Sequence, residues 1–506
     1  MPLAKVQYDY ICKQAKEATL LHTAADALEW DERTGMPPAA GDYRAKQVAC
    51  LRGLAHQRRT DSRYADYLSE LNQELSGNDP SDLPAATVKR LHRDLQRDQK
   101  LSTKMIEHLS ALTVRGQQNW DAARKNNRFS DFQKTLEQIV NLKREIGSRL
   151  REGTENTAYE ALIDEYEPNA TVKHLDQLFQ TLREPLVELI QRIQDAPRRP
   201  ETNLFQRALP IKVQREISRY VATQIGFDFD RGRLDETSHP FCTTLGPDDC
   251  RILTRYDPNH LASGLFGTMH EAGHGVYEQG LLTEWFGLPP GSYASLGIHE
   301  SQSRMWENQV GRSQSFWKWL TPELKKRFAP EYDGASADEL YFAANAIEPS
   351  LIRVEADEAT YNLHIIIRYD LEKQLIDGAL QVDDLPSAWN DRYKQDLGVN
   401  VTQDSQGVLQ DVHWSAGLIG YFPTYTIGNL ISAQLFASAQ HQLVDLEEHF
   451  SRGSFRDLLE WTRKRVHQYG RTMTSDELVQ QATGETLSSD HLVSYLKAKL
   501  EPLYGI

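Results

Sequence analysis

Three residues in the stretch TMHEAGHGVYEQ, Thr268 to Gln279, have the types and the spacing to do chemistry together: His270, Glu271 and His274. On a helix, residues four apart lie about 40° apart around the axis and one turn along it, so both imidazoles can be directed at one metal ion. Glu271 lies about 100° round from His270, at the flank of the pair. There its carboxylate can hold the proton of a metal-activated water instead of ligating the metal. With 16 histidines in 506 residues, this pattern arises by chance in roughly a few per hundred such chains. The spacing therefore points to hydrolytic metal chemistry, with zinc as the expected ion.

A catalytic zinc needs a third protein ligand. Glu278 shares the stripe but lies about 12 Å along the axis from His270, out of reach. The metzincin pattern would require Gly at 277 and His at 280, where this chain has Tyr277 and Gly280. The ligand must come from another element. The helical pattern breaks after Gly280 at FGLPPGSYASLG and resumes at IHESQSRMWENQVG, residues 298–311, opened by His299 and Glu300. Neighbouring helical residues diverge by about 100°, so one of the two should ligate while the other becomes a groove or supporting residue. The gluzincin arrangement, with two histidines from one helix and a glutamate from the next, favours Glu300.

Long amphipathic patterns surround these elements, such as TVKRLHRDLQRDQKLSTKMIEHLSALT and DFQKTLEQIVNLKREIGSRL. One exception stands out. In HPFCTTLGPDDCRILTRY, His239 to Tyr256, two β-prone runs flank Gly246-Pro247-Asp248-Asp249 and predict a hairpin. The expected fold is all-α with one small β-hairpin or sheet, and the Pro/Gly breaks at Met36-Pro37-Pro38 and Gly287 to Gly291 read as helix–helix turns. No repeat or flexible linker divides the chain, so a single domain over 1–506, with two lobes around a groove, is expected.

A formal net charge of −15 argues against nucleic acid or an anionic membrane as partner, since both need a basic surface. Four cysteines without a C-x-x-C pair, an N-terminal stretch with no apolar core and the absence of any span-length apolar window lead to the expectation of a cytoplasmic protein.

Taken together, HEAGH, HESQ, HPF at 239–241, IRVEAD at 352–357, GVLQDVHW at 407–414 and WDERTGMP at 30–37 make the chain resemble the carboxypeptidase Taq family of metallocarboxypeptidases through most of its length. One departure occurs at DDCRILT, where the family pattern D-x-R-x-T would put threonine at Leu253 and this chain carries it at Thr254. The resemblance implies a helical fold with a deep substrate groove, stepwise release of C-terminal amino acids with broad specificity, a homodimer, and zinc that cobalt or manganese can replace.

An enzyme acting at a free C-terminus must recognise a carboxylate, for which a guanidinium is suited by its paired donors and permanent charge. Arg353 is the candidate anchor. It is expected to begin a helix in which Arg353, Asp357, Tyr361, His364 and Arg368 form a polar stripe; without the resemblance, a solvated face with an Arg353–Asp357 pair would be the preferred reading. His413, Tyr421 and Tyr425 are candidate donors to the oxyanion. The hairpin beginning at His239 could pair an edge strand with the substrate backbone, and His299 is grouped with it as a substrate-binding candidate. Glu271 is the expected general base. A metallo-oligopeptidase cutting internally and a non-catalytic helical metal-binding interaction protein are the alternatives.

Overall fold

The periodicity of the polar-rich segments is realised as helix after helix. In the computed structural model, which describes residues 3–75 and 82–506, the helix Ser130–Leu150 buries Phe132, Leu136, Ile139, Leu142, Ile146 and Leu150 at three- and four-residue spacing. Each such side chain contributes about 1.5–3 kcal/mol by leaving water. The stretch that reads as continuous from Thr87 to Thr113 is broken into Leu83–Gln99 and Thr103–Lys125. Ser102 makes the break, its hydroxyl accepting from the Met105 amide and so capping the second helix. The turn reading near Met36 also holds, since a single 3-10 turn, Pro38–Ala40, separates Leu3–Thr34 from Gly41–Arg59.

The chain divides into two compact units. The first comprises Met1–Gln99, Glu201–Ala344 and Leu435–Thr486; the second comprises Lys100–Pro200, Asn345–Gln434 and Leu487–Ile506.

The expected hairpin lies in the first unit and has a third strand. Strands β1 (Gly232–Glu236), β2 (Phe241–Gly246) and β3 (Asp249–Thr254) are ordered β1-β3-β2, with β3 antiparallel to β2 and parallel to β1. β1, GRLDE, escapes sequence reading because it is short and charged and has no apolar alternation. Cys250, Ile252 and Thr254 share one face by the two-residue period of a strand. That face meets the histidine helix, Leu261–Glu278: Cys250 Sγ lies 4.0 Å from the Gly275 carbonyl, and the Thr254 hydroxyl reaches the Gly264 carbonyl at 3.5 Å. The displaced threonine is thus on the helix side of the sheet, whereas position 253 points the other way. On that other side, Arg251 sits 4.3 Å from the centre of the Trp30 ring, and Arg233 sits 5.0 Å from it.

Two glycines allow the histidine helix to be packed from both sides. A Cβ on Gly273 would fall 2.6 Å from Ser303 Cα, and one on Gly275 would fall 2.5 Å from the Phe227 ring and 3.2 Å from Ile252. Only hydrogen fits there. Within this helix, Ser263, Gly267, His270, His274 and Glu278 alone escape full burial, and they form one stripe.

Candidate metal centre and a buried arginine cluster

The histidine helix is capped by His260, whose ring nitrogen accepts from the Ser263 amide, and it runs without a break through Glu278. The next helix, Leu296–Arg304, starts two residues earlier than the sequence suggests because Ser295 caps it, accepting from the Ile298 amide at 3.0 Å. It continues directly into a π-helical turn, Met305–Val310.

These two helices bring His270, His274 and Glu300 together. One donor atom from each lies within 4.8 Å of the others. Nε2 of His270 and Nε2 of His274 stand 3.6 and 3.5 Å from the same Glu300 oxygen, Oε2. Two imidazole nitrogens and one carboxylate oxygen converging in this way suit a divalent ion and leave room for a fourth, exchangeable ligand. Glu271 is buried beside them, 6% exposed. Burial pushes its carboxyl up to about 7, with the neighbouring Glu300 and Glu307 adding to the rise.

Residues that sequence reasoning did not assign complete the surroundings. Glu307, in the π-helical turn, places Oε2 2.9 Å from Nδ1 of His270. Burial raises its carboxyl, but Arg304, the His270 contact and Arg312 outweigh that and hold it well below the usual range. Arg304 donates to Glu300 at 2.6 Å and to Glu307 at 3.3 Å, and Arg312 donates to Glu307 at 3.1 Å. Seven residues separate Glu300 from Glu307, a spacing that keeps them near one helical face and could have pointed to the pair. His299 places Nδ1 2.5 Å from Nδ1 of His274 and Nε2 2.8 Å from Glu278 Oε1. Glu278, too distant to share an ion with His270, is therefore joined to the cluster through His299. His239 is exposed in the bend before β2.

The second unit holds a separate buried cluster. Arg353 does not begin a helix. It sits in a short 3-10 turn, Arg353–Glu355, and the helix Thr360–Asp377 starts only after a break. Asp357 causes that break: its carboxylate accepts from the amides of Ala359 and Thr360, from the Thr360 hydroxyl and from the Glu348 amide. It is committed to the turn, so the Arg353–Asp357 pair is not formed. The stripe is not solvated either, with Arg353 5% and His364 and Arg368 0% exposed.

Asp411 takes the role of partner. Arg353 donates from Nε to Oδ1 at 2.8 Å and Arg368 from Nε to Oδ2 at 2.6 Å, so one carboxylate is held between two guanidiniums. Burial raises Asp411, but the two arginines bring it well below the usual carboxylate range. Arg353 also donates to the Tyr361 hydroxyl at 3.1 Å, and Gln410 accepts from the Arg353 amide. His413 is next to this group, its Nε2 3.2 Å from the Tyr425 hydroxyl. Burial and then Arg353 push its imidazole down to about 3, so it is neutral at ordinary pH. Tyr421 packs on both, with ring centres 5.5 Å from His413 and 5.4 Å from Tyr425.

The family profile described as carboxypeptidase Taq (M32) metallopeptidase matches residues 10–500. The chain belongs to that family. It is a metallocarboxypeptidase, consistent with its curated relatives. Thermostable carboxypeptidase 1 of Thermus thermophilus is 40% identical over 98% of this chain and 99% of its own length, and carboxypeptidase 1 of Bacillus subtilis is 36% identical over 95% of each. The crystal structure of the M32 carboxypeptidase from Deinococcus radiodurans R1 superposes with a TM-score of 0.95 at 36% identity, covering 99% of this chain and 100% of that one. These likenesses bear out the helical fold with a small sheet. Among the described residues, no helix is long and apolar enough to cross a membrane.

Proposed function

We propose that this metallocarboxypeptidase releases C-terminal amino acids one at a time, with broad specificity, from peptides bearing a free carboxylate. We propose further that zinc is its ion, that cobalt or manganese can replace it, and that the chain works as one catalytic domain in a cytoplasmic homodimer. The observation that carries the reading is the convergence of His270 Nε2, His274 Nε2 and Glu300 Oε2, with Glu271 buried at their side.

His270, His274 and Glu300 would hold the ion, which when bound supplies Lewis-acid chemistry, polarising the scissile carbonyl and acidifying water. Glu271 takes the proton of the attacking water and later delivers it to the leaving amine, a task suited to a carboxyl whose burial has raised its basicity. Arg353 anchors the terminal carboxylate. Its charge and that of Arg368 exceed what Asp411 alone neutralises, which leaves a positive surplus for an incoming anion. His413, neutral, and Tyr425 or Tyr421 offer hydrogen-bond donors to the oxyanion. The edge strand β2, which follows His239, offers backbone groups to a peptide irrespective of its side chains.

The test uses one peptide as free acid and as C-terminal amide, incubated with zinc-loaded protein with and without chelator and followed by mass spectrometry. Single-residue losses from the free acid only, stopped by chelator, are expected. Internal fragments from both forms would replace the reading with an endopeptidase, and no cleavage would leave a metal-binding protein without turnover.

A further inference from the structure

Each histidine of the candidate centre turns Nε2 toward Glu300 and therefore turns Nδ1 away from it. What meets each Nδ1 differs. His270 meets a carboxylate directly, Glu307 at 2.9 Å. His274 meets a second imidazole, His299, at 2.5 Å, and only beyond that ring does a carboxylate follow, Glu278 at 2.8 Å.

The protons in this chain of contacts have one consistent arrangement. A ligating Nε2 must be unprotonated, so the proton of neutral His274 sits on Nδ1 and is donated to His299. Nδ1 of His299 must then accept. Its own proton sits on Nε2 and is donated to the Glu278 carboxylate. Every group is satisfied and no buried donor faces another donor. The His299 ring is also fixed in orientation, with the rings of Tyr277 and Tyr293 standing edge-on at 5.3 and 5.0 Å.

From this geometry we infer that His299 and Glu278 are positioning residues for the metal, a two-step relay that fixes the tautomer and ring plane of His274 as Glu307 alone does for His270. The inference rests on reading His270, His274 and Glu300 as the ligands. It also gives the helix Leu296–Arg304 two tasks through adjacent residues, since Glu300 supplies a ligand and His299 braces another. His299 then acts on the metal through His274 and has no need to touch substrate.

The test is zinc affinity, measured by competition with a chromophoric chelator, on wild type, His299→Phe, His299→Gln, Glu278→Gln and His270→Ala, with apo-protein melting temperature checked for each. His299→Phe is expected to weaken zinc binding about 10- to 100-fold, the usual cost of losing such a support. His299→Gln should recover most of it, because an amide oxygen can accept from His274 while its NH2 group donates to Glu278. Glu278→Gln should give a smaller loss in the same direction, and KM of the zinc-saturated enzymes should stay close to wild type. Wild-type zinc affinity in His299→Phe together with a raised KM would overturn the relay and make His299 a substrate contact. His270→Ala separates the two levels: if it binds zinc as tightly as wild type, the ligand assignment itself fails, whereas a failing His270→Ala beside an unaffected His299→Phe sinks only the relay.

Discussion

The histidine–glutamate cluster of the first unit and the arginine cluster of the second are built by the same device with opposite charge. In the first, four carboxyls, Glu271, Glu278, Glu300 and Glu307, are gathered with two guanidiniums, Arg304 and Arg312, so that acidic groups outnumber basic ones. In the second, Arg353 and Arg368 face Asp411 alone, a surplus of one positive charge. A buried charge that its neighbours do not balance is costly. An excess of carboxyls suits a cation, and an excess of guanidiniums suits an anion. Sequence net charge, −15 overall, carries none of this information, because it sums over the local imbalances that matter.

The sharpest way to break the comparison is Glu271→Gln, which removes a titratable carboxyl without removing a proposed ligand. Turnover should fall by about 10²- to 10⁴-fold while zinc stays bound, and a variant turning over near the wild-type rate would dismiss Glu271 as base. Asp411→Asn enlarges the positive surplus by leaving two buried guanidiniums without a counterion. A loss of about 3–5 kcal/mol in denaturant-measured stability is expected, and a loss below about 1 kcal/mol would show the arginines to be hydrated. Arg353→Ala removes the surplus itself. KM for free-acid peptides should rise about 10- to 100-fold, as for loss of hydrogen bonds to a charged group, with equal losses on amidated peptides pointing to misfolding instead.

A subtler effect belongs to His413, held neutral by burial and then by the neighbouring arginines. Its imidazole titrates at about 3 in the native chain against about 6.5 unfolded. Between those values only the unfolded chain takes up the proton, so this share of stability is full above pH 6.5 and is lost as pH falls toward 3. His413→Asn should flatten the acid-side decline of melting temperature, and an unchanged decline would mean that His413 is protonated in the native state.

The metal cluster was the more legible of the two regions, and the reason is local spacing. His270, Glu271 and His274 fall within five residues, and their relation is fixed by the helix alone; a second helix beginning where the Pro/Gly segment ends offered His299 and Glu300 together, and only the gluzincin arrangement favoured Glu300. The arginine cluster depends on contacts 58 and 43 residues apart in sequence, which periodicity cannot pair. The expectation that fails there is the helix start at Arg353: Asp357, four residues on, satisfies the helical spacing rule but is occupied by backbone amides and opens the helix only at Thr360. Asp411 lay inside GVLQDVHW, yet nothing in its neighbours indicated which cations it would join. Strand β1 was invisible for a related reason, since its partner, β3, lies beyond β2 in the chain.

The two glycines of HEAGHG leave their mark on how the candidate metal centre responds to force. At Gly273 the helix faces the backbone of Gln302 and Ser303 with no side chain between to bend or rotate, and at Gly275 it faces the Phe227 ring and Ile252. With no room for even a methyl on either side, a closer approach of the histidine helix to its neighbours would meet hard-core repulsion, which rises far more steeply with compression than any hydrogen bond or ion pair does with stretching. The gap between the histidines and Glu300 should therefore resist closing much more than opening, a one-sided stiffness suited to an ion of fixed radius. Gly273→Ala would wedge that gap by the width of a methyl, at about 1–3 kcal/mol of overpacking, and zinc affinity should fall with it; affinity unchanged in a destabilised protein would place the compliance on the Glu300 side instead.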